Sequence, residues 1–494
     1  MLDLRGSAVI LLAFISSVVI FLFIKLTWEW KRMPPGPFPL PVVGNFLQIR
    51  KEGLVPYLVK MGETYGPVST IYMGSRPMVI LNGYQAVKEA FVDRGDDFLD
   101  RGKMPLFERV YRNGSLGLAN GMDWKQLRQF SILTLRDFGL GKKSLEEPIQ
   151  KEAQYLVEHF RRLNKEPVDP SSTMICASSN IIASLLMGKR YKYSDKKWIQ
   201  ILNNVHEAFH LVCSLWGQMY DVLPTLMRVM PGPHNNIFPL FQELMDVIEE
   251  QIKSNLATLD PNCPRDYIDC FLIRMKQEQD PKTPFNMINL ITTVTDMFLG
   301  GAESTGITLN FGFLIFIKYP EIQAKLQEEI DQVIGHNREP LVEDRNNMPY
   351  MNAVIHEIQR YSDVFPMGLI RSTTRDIFYH GYHIPKGTDV LPVLTTALKD
   401  PSQFKTPSEI NIDHFLDESG QFKKNNGFMV FGAGKRGCAG ESMVRMQLFI
   451  FFTTILQKFT LKATVDPKDL DINPKESGFE TLPPVHKVIF IPRE

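Results

Sequence analysis

The chain has 494 residues, and its 55 Lys plus Arg balance 55 Asp plus Glu. That length readily buries a core, at roughly 150 residues per domain it allows about three domains, and zero net charge gives a nucleic-acid partner no global support. The five cysteines (Cys176, Cys213, Cys263, Cys270 and Cys438) are odd in number and form no CxxC pair, which points to a reducing compartment rather than a disulfide scaffold.

Gly6 to Ile24 carries no charge over 19 residues. As a helix it would span roughly 28 Å, close to the ~30 Å hydrocarbon core of a bilayer. A cleaved signal peptide would have a shorter apolar stretch and a small-residue cleavage site. Here the run passes instead through Lys25, Trp28, Trp30, Lys31 and Arg32. Interfacial tryptophans and a basic flank favour a retained anchor over 1–33, and the C-terminal position of that flank places residues 34–494 on the cytosolic side. Pro34, Pro35, Pro37, Pro39 and Pro41 then form a stiff hinge.

Val68 to Tyr72 and Met78 to Leu81 read as a hairpin turning at Gly74-Ser75. Helical periodicity dominates afterwards. Helices are predicted over Asp123 to Leu135, Glu146 to Arg162, Trp198 to Cys213, Ile237 to Leu259, Phe285 to Ile317, Glu321 to Ile334 and Met348 to Tyr361. Gly300-Gly301 interrupts the longest of these at ~1 kcal/mol per glycine, which calls for a reason. Strands and turns follow from Ile370 to Leu394, then a loop, then an apolar helix from Glu441 to Phe459. The fold class is mainly α with small β-sheets, as one large helical domain.

Phe431-Gly432-Ala433-Gly434-Lys435-Arg436-Gly437-Cys438-Ala439-Gly440 concentrates the chemistry. Glycines let the backbone turn its N–H groups toward a sulfur. A helix beginning after Gly440 lowers a thiol pKa through its dipole, and Arg436 supplies a cation for an acidic cofactor edge. Read alone, the segment is also compatible with a glycine-rich turn around a buried free cysteine.

Phe431, Gly434, Arg436, Cys438 and Gly440 resemble the F-x-x-G-x-R-x-C-x-G loop of the cytochrome P-450 superfamily. The resemblance implies the cytochrome P-450 fold, with haem b (iron protoporphyrin) as cofactor and Cys438 as the axial iron ligand. A thiolate in that place favours O–O cleavage. Glu357 and Arg360 match the family's E-x-x-R pair, and His414 stands where a third, arginine member is usual. Trp124 and Arg128 resemble its W-x-x-x-R propionate contacts, with Arg101, Arg371 and Arg436 as further cofactor-binding residues. Gly300-Gly301-Ala302-Glu303-Ser304-Thr305 is similar to the oxygen-binding segment, in which an acid and an alcohol relay protons. Glu303, Ser304 and Thr305 are therefore the expected catalytic residues, with serine where threonine is usual. Arg265 to Cys270 and Phe415-Leu416-Asp417 resemble microsomal family-two members, which oxidise xenobiotics and lipids.

The implied reaction inserts one oxygen atom of O2 into a lipophilic substrate such as a xenobiotic, fatty acid or steroid. No G-x-G-x-x-G opens a βαβ unit, so electrons from NADPH are expected through a separate NADPH–cytochrome P-450 reductase, with cytochrome b5 as a second candidate donor. Lys125, Arg136, Lys142, Lys143, Lys435 and Arg445 form the expected docking patch. Phe107, Phe209, Phe298, Val364 and Phe479 are the expected apolar wall. The implied location is the endoplasmic reticulum membrane. Two alternatives are a reductase-independent haem-thiolate peroxide isomerase or dehydratase, and a haem-based binding protein.

Overall fold

β-Branched and aromatic residues from Val68 onward form β1 (Val68–Met73), and Arg76–Asn82 returns as β2. Gly74 turns between them at φ +64°, a region that glycine enters without steric cost. The computed structural model describes residues 30–493 except 113, 140–142 and 477–479, together with residues 13, 17 and 21. The expected anchor from Gly6 to Ile24 therefore lies almost wholly outside the described residues. Among those described, no helix is long and apolar enough to cross a membrane.

The chain divides into two compact units, Met1–Lys103 with Gly368–Val393, and Met104–Met367 with Leu394–Glu494. The first unit is built on one sheet. Its strands are β1, β2, β3 (Asp100–Arg101), β4 (Arg371–Ser372) and β7 (Asp389–Val393), in the order β1-β2-β7-β4-β3. A small hairpin, β5 (Ile377–Tyr379) with β6 (Tyr382–Ile384), stands apart. The β2–β7 pair is parallel and sets Met78 against Asp389, whereas β3–β4 is antiparallel and sets Arg101 directly opposite Arg371. Asp389 ties the register together, accepting from Arg76 Nη1 at 3.2 Å and from the Lys103 amide at 3.1 Å.

The second unit is helical. Its main helices are α1 (Gly121–Asp137), α2 (Lys143–Arg162), α3 (Ser171–Met187), α4 (Lys196–Cys213), α5 (Ile237–Ala257), α6 (Tyr267–Gln277), α7 (Met287–Lys318), α8 (Pro320–Val333), α9 (Pro349–Ser362) and α10 (Glu441–Lys458). Small antiparallel pairs, β8 (Phe459–Ala463) with β11 (Val488–Pro492) and β9 (Lys475–Glu476) with β10 (Thr481–Leu482), complete it.

Local chemistry sets the helix starts. Asp195, Asp266 and Asn286 each accept a backbone N–H in the first turn of α4, α6 and α7, as good N-caps do. The predicted helices agree with these spans to within a few residues. The 32-residue α7 is buried along most of its length. It approaches α3 so closely at Gly306 that an added Cβ would lie 2.7 Å from the Ile175 Cα. Toward its C-terminus Phe313 and Phe316 pack edge-on against Phe452 of α10.

Candidate active site

The segment Phe431 to Gly440 turns tightly before α10. The Cys438 amide donates to the Phe431 carbonyl at 2.9 Å, and Gly434 sits at φ +69°, where a Cβ would be strained. The Cys438 sulfur accepts from the main-chain N–H groups of Gly440 and Glu441. Cys438 is exposed, yet protein packs densely around its sulfur. The N–H groups at the start of α10 act in the expected, lowering direction on the thiol pKa, but they do not prevail. Burial pushes it up from 9.0, outweighing the two N–H bonds and the nearby Arg128 charge. A thiolate at this position needs a further positive charge beside it, which a bound metal ion supplies.

Three predicted side chains gather around that loop. Arg128 on α1 donates through Nη2 to the Gly437 carbonyl at 2.7 Å. Arg436 donates to the Ala119 carbonyl at 2.7 Å and to Asn120 Oδ1 at 3.0 Å. The Arg436 guanidinium lies 3.9 Å from the centroid of the buried Trp124 ring, with Arg128 5.9 Å from the same ring. Two guanidinium groups share one indole beside one thiol, which fits the acidic edge of a flat cofactor better than a plain turn.

A buried ion pair lies on α9. Arg360 holds Glu357 in a bidentate fork, Nε to Oε2 at 2.8 Å and Nη2 to Oε1 at 2.7 Å, both side chains fully buried. Arg360 also donates to the carbonyls of Leu398, Pro407 and Glu409. His414 Nδ1 lies 3.2 Å from Glu357 Oε2, and the Asn411 amide donates to Oε1 at 2.8 Å. The histidine therefore occupies the place of a third basic member.

Arg445 differs from its expected surface role. It turns inward, pairing with Glu441 at 2.8 Å and donating to His356 Nε2 at 2.6 Å. His356 in turn donates through Nδ1 to the Asn352 carbonyl at 2.7 Å and packs against Phe415, Phe422 and Phe428. The chain of bonds from α9 ends on Glu441, whose own N–H reaches the Cys438 sulfur.

On α7 the two interrupting glycines differ. A Cβ on Gly300 would meet nothing within 4 Å, whereas one on Gly301 would lie 3.2 Å from Ile182 of α3. The expected acid and alcohol are not bonded to each other. Glu303 Oε1 is 2.8 Å from His206 Nδ1 on α4, and Ser304 Oγ donates to the Gly300 carbonyl at 2.8 Å. Thr305 is fully buried, and its Oγ1 has no hydrogen-bond partner. The bond between His206 and Glu303 had no signal in the sequence, since 97 positions separate the two.

Arg101 and Arg371 belong to the first unit and face each other across β3–β4. Like charges directly opposite are destabilising, so this pairing suits a site that receives an anion. Arg371 also lies 4.7 Å from the Phe91 ring centroid. Of the expected apolar wall, Phe107 and Phe209 both pack on Phe241. Phe298 is instead fully buried edge-on to Trp198 and belongs to the core. Val364 is buried, and its carbonyl accepts from the Thr481 amide at 2.9 Å. Phe479 and Lys142 lie outside the described residues.

A family model described as Cytochrome P450 matches residues 34–490. The chain is 47% identical to Cytochrome P450 2G1 of Oryctolagus cuniculus over 494 residues, the full length of both. It is 47% identical to Cytochrome P450 2F2 of Mus musculus over 453 residues, 92% of each chain. It is 44% identical to Cytochrome P450 2A6 of Homo sapiens over 493 residues, 99% of this chain and 100% of that one.

Proposed function

The chain belongs to the cytochrome P450 family, and from that premise we propose that it is a microsomal haem-thiolate monooxygenase acting on lipophilic substrates. The reaction is RH + O2 + NADPH + H⁺ giving ROH + NADP⁺ + H2O. What carries this reading is the Cys438 sulfur, densely packed round by protein, bonded by two main-chain N–H groups and flanked by the Trp124, Arg128 and Arg436 cluster.

Cys438 would hold the iron of haem b, and Arg128, Trp124 and Arg436 would hold its propionates. Haem held there would activate O2, and a thiolate ligand would favour O–O cleavage. Main-chain N–H bonds keep the sulfur's charge in place, and the Glu357–Arg360–His414 network ties α9 to the chain between Leu398 and His414. Glu303 supplies an acid, and Ser304 and Thr305 supply the alcohols that hold protons near the reacting oxygen. Phe107 and Phe209 offer apolar surface for the substrate.

Electrons come from NADPH–cytochrome P-450 reductase, with cytochrome b5 as a second donor. The exposed Lys125, Arg136 and Lys435 provide a basic docking surface. Residues 1–33 anchor the chain in the endoplasmic reticulum membrane, and 34–494 form the catalytic body on the cytosolic side.

The test is Cys438→Ala. The variant should lose the thiolate-specific Soret band of the reduced carbonyl complex and all NADPH-dependent turnover. A variant that keeps that band removes Cys438 as the ligand.

A further inference from the structure

We propose that His206, Glu303 and Glu480 form a polar anchor for the hydroxyl group of a lipophilic alcohol. This deepens the monooxygenase reading and rests on it. Three elements of the second unit bring the residues together: α4 carries His206, α7 carries Glu303, and the residue just before β10 is Glu480.

The geometry leaves one valence open. Glu303 is 4% exposed, and its Oε1 is taken by His206 Nδ1 at 2.8 Å. Its Oε2 is buried with no hydrogen-bond partner. A buried carboxylate oxygen left unpaired is costly and calls for an explanation. Glu480 is itself 5% exposed and close enough to feel the charge of Glu303, yet it makes no hydrogen bond to Oε2. The His206 side chain is half exposed, so the buried pair meets solvent on the His206 side. Thr481 fixes the Glu480 segment by donating its main-chain N–H to the Val364 carbonyl. Ser304 does not compete for Oε2, because its hydroxyl is turned back to Gly300.

The two carboxyl groups ask for different things. Burial, and then the Glu303 charge, hold Glu480 well above the usual carboxylate range, so it carries a proton to donate. Glu303, facing His206, offers a lone pair at Oε2. A group between them must donate to one and accept from the other. A hydroxyl does both, an ammonium only donates, an ether only accepts and an alkane does neither.

The test uses the haem-loaded full-length protein and three ligands of equal chain length: a long primary alcohol, its methyl ether and the alkane. Affinities are read by equilibrium dialysis at neutral pH. The alcohol should bind about tenfold tighter than the ether. That preference should vanish in Glu480→Ala and in His206→Leu, and return in Glu480→Gln, whose amide can still donate. Equal affinity for alcohol and ether in the parent overturns the anchor, as does a preference that survives Glu480→Ala. NADPH-dependent oxidation of the alkane is followed in the same preparations after addition of NADPH–cytochrome P-450 reductase. Oxidation without an alcohol preference removes the anchor and leaves the monooxygenase standing. An alcohol preference without oxidation supports the anchor and removes the monooxygenase.

Discussion

A serine hydroxyl inside a helix has its own backbone as a competing acceptor, and at Ser304 the backbone wins. The hydroxyl rests on the Gly300 carbonyl at 2.8 Å and not on Glu303. Threonine is stiffer at χ1, so Ser304→Thr should hold the alcohol more firmly and tighten coupling. Ser304→Ala together with Thr305→Ala should raise the peroxide released per NADPH consumed. One hydrogen bond is worth about 1 kcal/mol, so the change should be about fivefold. A double variant as well coupled as the parent would show that protons arrive by another route. At this scale the sequence was informative about residue types and silent about partners. Glu303 was legible as an acid beside an alcohol. Its bond to His206 was not, because it spans two helices that periodicity cannot place side by side.

Helices α3 and α7 show what a glycine does between elements. At Gly306 an added methyl would collide with the Ile175 main chain, which cannot step aside as a side chain can. Gly306→Ala should therefore lower stability by about 1–3 kcal/mol, measured by urea denaturation. Gly300→Ala meets no atom within 4 Å and should raise helix stability by up to ~1 kcal/mol. Equal effects of the two would refute this assignment of faces. On α9, burial and then the Arg445 charge push His356 down to about 3. Between pH 6.5 and about 3 the unfolded chain takes a proton that the folded chain refuses. Stability should fall as pH falls through that window, by up to ~1.4 kcal/mol per pH unit. His356→Gln should lack that component of the acid slope, and an unchanged slope would count against the assignment. The helices themselves were readable from apolar spacing, and α7 was expected from Phe285 and found from Met287. The inward turn of Arg445 was not readable, since an arginine four residues into a helix looks the same whether it faces water or a buried histidine.

For the molecule as a whole, removal of residues 1–33 should weaken membrane attachment and leave haem binding intact. Membrane flotation and the reduced carbonyl spectrum of the truncated protein check the two halves of that statement, and loss of haem would contradict the proposed division at Pro34. The E-x-x-R pair teaches a similar lesson about context. In the sequence Glu357 and Arg360 are an ordinary i,i+3 pair of a kind that contributes little at a surface. In the fold both are fully buried with every fork position used, so Glu357→Ala should cost about 3–5 kcal/mol by urea denaturation. The sequence by itself determined the helical class, the glycine-rich cysteine loop from Phe431 to Gly440 and the family. These depend on short-range spacing, on glycine's backbone freedom and on one cysteine placed just before a helix. The tertiary structure decided which groups meet: His206 with Glu303, Arg445 with His356, and Arg436 over Trp124. It also decided that the thiol is pushed up rather than down, because desolvation depends on every atom packed around the sulfur and not on the residues beside it in the chain.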